Sequence, residues 1–181
     1  EGDNILESNT VIVNINKIKD NEYLLDVNLY KDPFVFVNNN YISIRLGDCI
    51  EYINGPSHNI NEGIENGLYP LLNYRNRNRI YLNSYYYEGS YITMSIRGNV
   101  NFQYLTRFNI TNNYRVINII HPELTIKYVY YILNYLTNQI NENVLQGSLL
   151  RNINMNMFNN IRIPLLDIVQ QNNIVNQLQQ N

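Results

Sequence analysis

Apolar and polar residues alternate over Val11, Val13 and Ile15, which predicts a strand, since side chains of extended backbone face opposite sides in turn. Ile18 to Tyr30 reads as a turn and a second strand, ending at Asp32-Pro33. Alternation returns at Tyr41–Leu46 and stops at Gly47-Asp48; Cys49–Ile53 is an apolar strand closed by Gly55 and a Pro56–Asn59 turn. Asn61–Gly67 leads into a further strand at Tyr69–Leu72. Two β-rich runs lie between Ile80 and Val100, around Tyr85-Tyr86-Tyr87, whose rings suit a half-buried pleated surface. Residues 101–104 and 107–110 continue a meander, Asn112-Asn113 turns the chain, and Tyr114–Ile120 forms the next strand.

After His121-Pro122-Glu123 the period changes. Leu124, Tyr128, Tyr131, Ile132, Tyr135, Leu136 and Ile140 share one broad stripe, which predicts a helix with its tyrosines in the core. His121 punctuates a turn and has no partner suited to base catalysis. Gly147-Ser148 opens a short helical segment, followed by a three-residue strand, Ile161–Ile163, stopped by Pro164, which cannot donate to a ladder. The chain ends on an amphipathic helix with Ile168, Val169, Ile174, Val175 and Leu178 on one face and Asn and Gln on the other. The fold class expected is α+β: a twisted, mostly antiparallel, barrel-like sheet with packed helices and a C-terminal amphipathic helix. Three segments follow, an arm at 1–40, a main domain at 41–166 and the start of a spacer helix at 167–181.

Composition narrows the function classes. At 181 residues and 45% hydrophobic content the chain supports a folded core in one domain plus an arm. Asparagine fills about a fifth of the chain and alanine is absent, a bias expected of an AT-rich coding genome. A formal charge of −2 opposes a free-standing phosphate-gripping protein. The single Cys49 excludes an intrachain disulfide and sits in an apolar run as a buried, inert thiol. With only His58 and His121 beside it, no Cys/His zinc spacing exists. No signal peptide or long apolar run is visible, which predicts a soluble, cytoplasmic protein without a membrane partner, its source (bacterial or large-DNA-virus) left open. The chain begins with Glu1, not Met, as expected of a processed piece of something longer.

The most unusual local composition is Asn73-Tyr74-Arg75-Asn76-Arg77-Asn78-Arg79. One reading is a solvated turn or exposed strand edge. The other is a nucleic-acid contact, because guanidinium forks match phosphates and guanine edges while Asn amides pair with adenine. A locally basic loop would let a mildly acidic protein hold DNA. Arg97, Asn99, Arg107 and Arg151 complete the candidate contacts with Asn73, Tyr74, Arg75, Arg77 and Arg79. No Ser/His/Asp or Cys/His arrangement, phosphate-binding Gly loop or metal spacing is present, so neither catalysis nor a cofactor is expected.

The order of pieces at the C-terminus is specific. Gly147, Ile153, Ile161, Ile163, Pro164, Gln171, Ile174, Val175 and Leu178 follow "G-S-x-x-x-x-I-x-x-x-x-x-x-x-I-x-I-P-L, then Q-x-x-I-V-x-x-L". This resembles the end of a target-recognition domain from the DNA specificity subunits of type I restriction-modification systems, and the related tails of fused restriction-methylation enzymes. The "L-G-D" at Leu46–Asp48, the "N-x-G-x-x-N-G-x-Y-P" reaching Pro70, the "G-N" turn at Gly98-Asn99 and the tyrosine helix at Tyr128, Tyr130, Tyr131 and Leu133 are similar to that family too. The family usually has another Gly before the G-N turn, where this chain has Ser95-Ile96-Arg97, so the path of the turn stays open. Ile18–Tyr30, of the form "I-x-x-N-x-Y-x-L-x-x-x-x-Y", is similar to the segment that closes the catalytic domain of adenine-N6 methyltransferases, which would make residues 1–40 a junction; the methyltransferase's own N-P-P-Y/F signature is absent.

The resemblance implies a non-catalytic module that reads double-stranded DNA and directs a partner or fused adenine-N6 methyltransferase or nuclease. A complete specificity subunit carries two such domains and long spacer helices. One domain alone implies pairing with itself through the C-terminal helix, membership of a fused enzyme, or a remnant. The alternative function is a recognition-domain fold reused as a protein-binding or structural component, with DNA binding lost.

Overall fold

The computed structural model describes residues 15–20, 41–74, 80–147 and 151–180. By contacts the chain divides into two compact units, Glu1–Val35 and Phe36–Asn181. Within the first unit the described residues form helix α1, Ile15–Asp20. Ile15 therefore starts a helix and does not continue a strand; it stands at i+2 from Val13, which suits a strand, and at i−3 from Ile18, which suits a helix, and the helical period holds from Ile15 on. The predicted strand residues Val11 and Val13, and most of the second strand, lie outside the described residues.

In the second unit a six-stranded sheet carries the core. Its strands are β2 (Ile50–Ile53), β3 (Tyr69–Leu72), β4 (Tyr81–Leu82), β5 (Tyr87–Ser95), β6 (Phe102–Ile110) and β7 (Tyr114–Ile119), in the spatial order β2-β7-β5-β6-β3-β4. All pairings are antiparallel except β3 with β6, which is parallel. The expected meander is thus rearranged: β7 passes β6 and pairs with the other side of β5.

That topology forces curvature. Ile110 lies beyond the Tyr87–Phe108 pair, whereas Tyr114 stands beside Ser95 at the other end of β5. On a flat sheet these points would be roughly 30 Å apart, at about 3.3 Å per residue. The link Thr111–Asn113 spans about 14 Å at most. The sheet therefore curls on itself, with a register shift between Glu88 and Tyr91 to bend it. Curling brings Leu72, Tyr87, Phe108, Ile110, Tyr114 and Val116 into one buried cluster, where the Tyr87 and Phe108 rings stack at 5.1 Å. The fold is α+β as expected, but the sheet keeps β2 and β4 as edges and is not a closed barrel.

Two small ribbons tie the chain together. β1 (Ser43–Arg45) pairs antiparallel with β10 (Arg162–Pro164), joining the two ends of this unit, and β8 (Leu145–Gln146) pairs with β9 (Asn152–Ile153). Ser43 accepts from Arg162 through both its hydroxyl and its carbonyl, at 2.9 and 2.7 Å. The turn Leu46–Asp48 then packs on helix α4 (Met155–Asn160). Cys49 is buried, donates to the Arg45 carbonyl, and is pushed up to about 11 by burial and by neighbouring Asp48, as an inert thiol should be.

The tyrosine stripe forms two helices, not one. Helix α2 (Ile126–Tyr135) stops at Leu136 and α3 (Thr137–Asn143) begins at once. Leu124, Tyr128, Val129, Leu133, Leu136 and Ile140 are buried, but Tyr135 is 77% exposed, a correction to its predicted place in the core. Helix α2 contacts β5, β6 and the last helix, α5 (Ile168–Gln179). Helix α5 starts with a capping box between Asp167 and Gln170 and buries Gln171 and Val175. Ile168, Val169 and Leu178 on its expected apolar face stay exposed.

Candidate functional site

Four connections converge at one end of the curled sheet. They are the loop after β2 with Ser57 to Ile60, the exit from β3 at Asn73-Tyr74, the β5–β6 hairpin around Arg97, and the β6–β7 turn at Thr111–Asn113. Together they line an open cleft of about 510 Å³. A second cleft of about 570 Å³ lies on the other side of Arg97 and Tyr74, with Asn99, Asn101 and Asn134 in its wall. Arg97 and Tyr74 are shared by both, and among the described residues neither lining contains an Asp or Glu.

The hairpin that carries Arg97 is closed by a serine. The Ser95 main-chain N–H donates to the Asn101 carbonyl at 3.1 Å; its hydroxyl accepts from the Asn101 N–H at 2.8 Å and donates to the Asn99 carbonyl at 3.0 Å. Gly98 takes the left-handed conformation, φ +67°, which L side chains rarely adopt, and allows the reversal. Ser95 and Gly98 thus supply the turn without a further glycine. The Asn141 side chain holds the Val100 N–H at 2.7 Å, and the Arg151 carbonyl accepts from the Gly98 N–H at 3.0 Å.

The opposite wall is braced as firmly. The His58 N–H donates to the Ile110 carbonyl, which fixes the loop after β2 to the end of β6. Asn59 and Glu62 form a capping box, and Glu62 also meets His58 Nδ1 at 2.8 Å. Hydrogen bonds from the His58 ring and the Asn59 N–H hold the Glu62 carboxyl below its usual range. The Ile96 N–H donates to the Asn113 carbonyl at 2.8 Å, so the β6–β7 turn is joined to the strand end beside Arg97.

The sequence-predicted residues divide into three groups. Asn73, Tyr74, Arg97 and Asn99 are brought together around the two clefts. Arg151 is adjacent through its backbone and its side chain is exposed; the Arg97–Asn152 bridge sets it one residue out of register with Arg97, on the other face of that ribbon. Arg107 stands apart on β6, ion-paired to Glu88 at 2.9 Å with its guanidinium over the Tyr85 ring. Arg75, Arg77 and Arg79 lie outside the described residues. The sequence reading missed His58, Asn59, Asn112 and Asn113 as cleft residues, because asparagine turns occur all along this chain and none stands out. Among the described residues no acidic side chain lies in ion-pair range of Arg97 or Arg151, and no group of three His, Cys, Asp or Glu could hold a metal ion. No helix among them is long and apolar enough to cross a membrane.

Charge is distributed unevenly along the chain. Residues 41–181 carry ten Lys and Arg against eight Asp and Glu, whereas 1–40 carry three against seven. The overall −2 therefore conceals a slightly basic domain, which removes the objection raised by the acidic balance.

Residues 38–180 match the family described as the type I restriction modification DNA specificity domain. The fold is similar to the crystal structure of a type I restriction-modification S subunit from M. genitalium, with TM-score 0.66 and 19% identity over 80% of this chain and 40% of that one. It is similar to the HsdS subunit from Thermoanaerobacter tengcongensis, with TM-score 0.57 and 19% identity over 92% of this chain and 44% of that one. A chain from a study of complex assembly and conformational transition of a type I R-M system gives TM-score 0.59 and 19% identity over 83% and 40%. The chain spans less than half the length of each of these structures. No curated protein matches the sequence. The family match covers most of the chain, and the chain belongs to the type I restriction modification DNA specificity domain family.

Proposed function

We propose that this domain reads the sequence of double-stranded DNA for a restriction-modification system, with the loop end of its curled sheet set against the major groove. The observation that carries the reading is Arg97, exposed between two amide-lined clefts with no carboxylate among the described residues of either lining. A guanidinium without a competing acid is available to a base edge or a phosphate, and asparagine amides match adenine. Tyr74, Asn73 and Asn99 line the same clefts, and Arg151 flanks them as a phosphate contact. Arg75, Arg77 and Arg79, which follow Tyr74 in sequence, add phosphate contacts, and Arg107 joins them when its pair with Glu88 opens.

The chain supplies specificity and no bond-making chemistry of its own. An adenine-N6 methyltransferase, as a partner subunit or a fused domain, modifies the base, and the assembly acts on DNA in the cytoplasm. The exposed Ile168, Val169 and Leu178 on α5 suit pairing between two copies, which would present two recognition domains to a two-part site.

Binding of the full chain to mixed-sequence duplex should weaken as a power of salt concentration, with a slope set by the number of phosphates contacted. Arg151→Ala should make that slope shallower by about one. Selection from a randomised duplex pool should enrich one motif. Salt-independent binding together with an unselective pool overturns the reading.

A further inference from the structure

The β6–β7 turn holds an unpaired group beside Arg97. Asn113 lines the first cleft, and its side-chain oxygen is buried with no hydrogen-bond partner. A buried acceptor without a donor is costly and rare, so a native one calls for an explanation. The backbone around it gives no freedom: the Asn113 carbonyl accepts from Ile96, and the Tyr114 N–H closes the turn on Thr111 at 3.1 Å. Only the side-chain torsions can relieve the unpaired oxygen. Rotation toward the cleft carries the carboxamide to the same opening that Arg97 borders.

Chemistry then selects the ligand group. A carboxamide offers a donor and an acceptor side by side, which matches the N7 acceptor and N6 donor of adenine. The neighbouring guanidinium offers two donors, which match the O6 and N7 acceptors of guanine. The Ile96–Asn113 bond fixes the spacing between the two strand ends from which these side chains project. We propose that Asn113 is a specificity-determining residue, its carboxamide reading an adenine edge while Arg97 reads a guanine beside it. This rests on the DNA-reading function above and adds to it the base class at two positions.

The test is selection of binding sites by the full chain from a randomised duplex pool, comparing the wild type with Asn113→Ala, Asn113→Asp and Arg97→Ala. The wild-type motif should contain an adenine next to a guanine. Asn113→Ala should lose preference at that adenine alone, by about tenfold or more. Asn113→Asp has the same shape and the same main-chain bonds, so it carries the test if the alanine variant misfolds; it should turn the preference toward cytosine, whose N4 amine suits an acceptor-only carboxylate. Arg97→Ala should lose the guanine alone. A wild-type motif that both Asn113 variants reproduce unchanged overturns this proposal and leaves the DNA-reading function standing. A wild type that enriches no motif overturns both.

Discussion

The side-chain oxygen of Gln171 accepts two hydrogen bonds from Thr125, one from its main-chain N–H at 2.8 Å and one from its hydroxyl at 3.1 Å. The amide nitrogen of the same side chain donates to the carbonyls of Glu123 and Leu166, at 2.6 and 2.8 Å. Every hydrogen-bonding position of a fully buried glutamine is thus filled. The amide ties α5 to the chain entering α2, so the direction of the last helix is set by a polar clamp inside a packed interface.

Gln171→Leu keeps the volume and removes the clamp. It leaves the Thr125 N–H and hydroxyl and the part-buried carbonyl contacts of Glu123 and Leu166 without this partner, which should cost about 3 kcal/mol. Urea unfolding should show a lower midpoint with an unchanged slope, since the surface exposed on unfolding is the same. A loss below about 0.5 kcal/mol would mean that water fills the gap and that the clamp does not fix α5.

Gly47 is needed for a different reason. A Cβ there would stand 2.9 Å from the Asn159 Cβ and 3.1 Å from its carbonyl oxygen, so the turn after β1 and helix α4 could not keep their present distance. Asn159 also accepts from the Tyr52 hydroxyl at 2.7 Å, which resists a shift of that residue. Gly47→Ala should destabilise by about 1–3 kcal/mol, as overpacking does, measured by the same unfolding experiment.

These two residues show what was legible in the sequence. The L-G-D turn and the glutamine of the final helix both belong to a family pattern, but a pattern names positions and not partners. Local β-rich composition located β5 and β7 well, although Ile92–Ser95 of β5 is buried on both faces and shows no alternation. It could not show the curl, which follows from β7 pairing across β5 with residues far away in sequence. The tyrosine stripe runs unbroken through Leu136, so periodicity gave one helix; the break is where Thr137 turns its hydroxyl back to the Leu133 carbonyl. In the site, Arg97 and Asn99 were legible from the Gly98 turn. Asn59 and Asn113 were not, because a chain so rich in asparagine gives no contrast between a turn former and a base reader.

Alkaline pH should act through the buried thiol. Cys49 ionises at its ordinary value of 9.0 when unfolded, but burial and Asp48 push it up to about 11 in the fold. Between those values the unfolded chain loses a proton that the folded chain keeps, so this contribution to stability is complete below pH 9 and lost as pH rises toward 11. Tyr128, raised to about 12 mainly by burial, adds the same trend at higher pH. Cys49→Ser should lose less stability than the wild type across the pH 9 to 11 window, read as the difference between the two unfolding midpoints. Equal losses would mean that the thiol stays solvated in the native state.

The arginine-rich run after Tyr74 and the paired Arg107 should separate phosphate contacts from surface ion pairs. Replacing Arg75, Arg77 and Arg79 together with Ala should flatten the salt dependence of duplex binding by up to about three in slope, because each phosphate contact contributes about one. Arg107→Ala should leave stability nearly unchanged, as its pair with Glu88 is exposed and screened by solvent. It should also change the slope less than Arg151→Ala, because its guanidinium must leave Glu88 before it can meet a phosphate, whereas that of Arg151 has no such partner among the described residues. Unchanged slopes for the triple variant would place 73–79 outside the DNA contact, and a slope change at Arg107 equal to that at Arg151 would show that the Glu88 pair opens freely in solution.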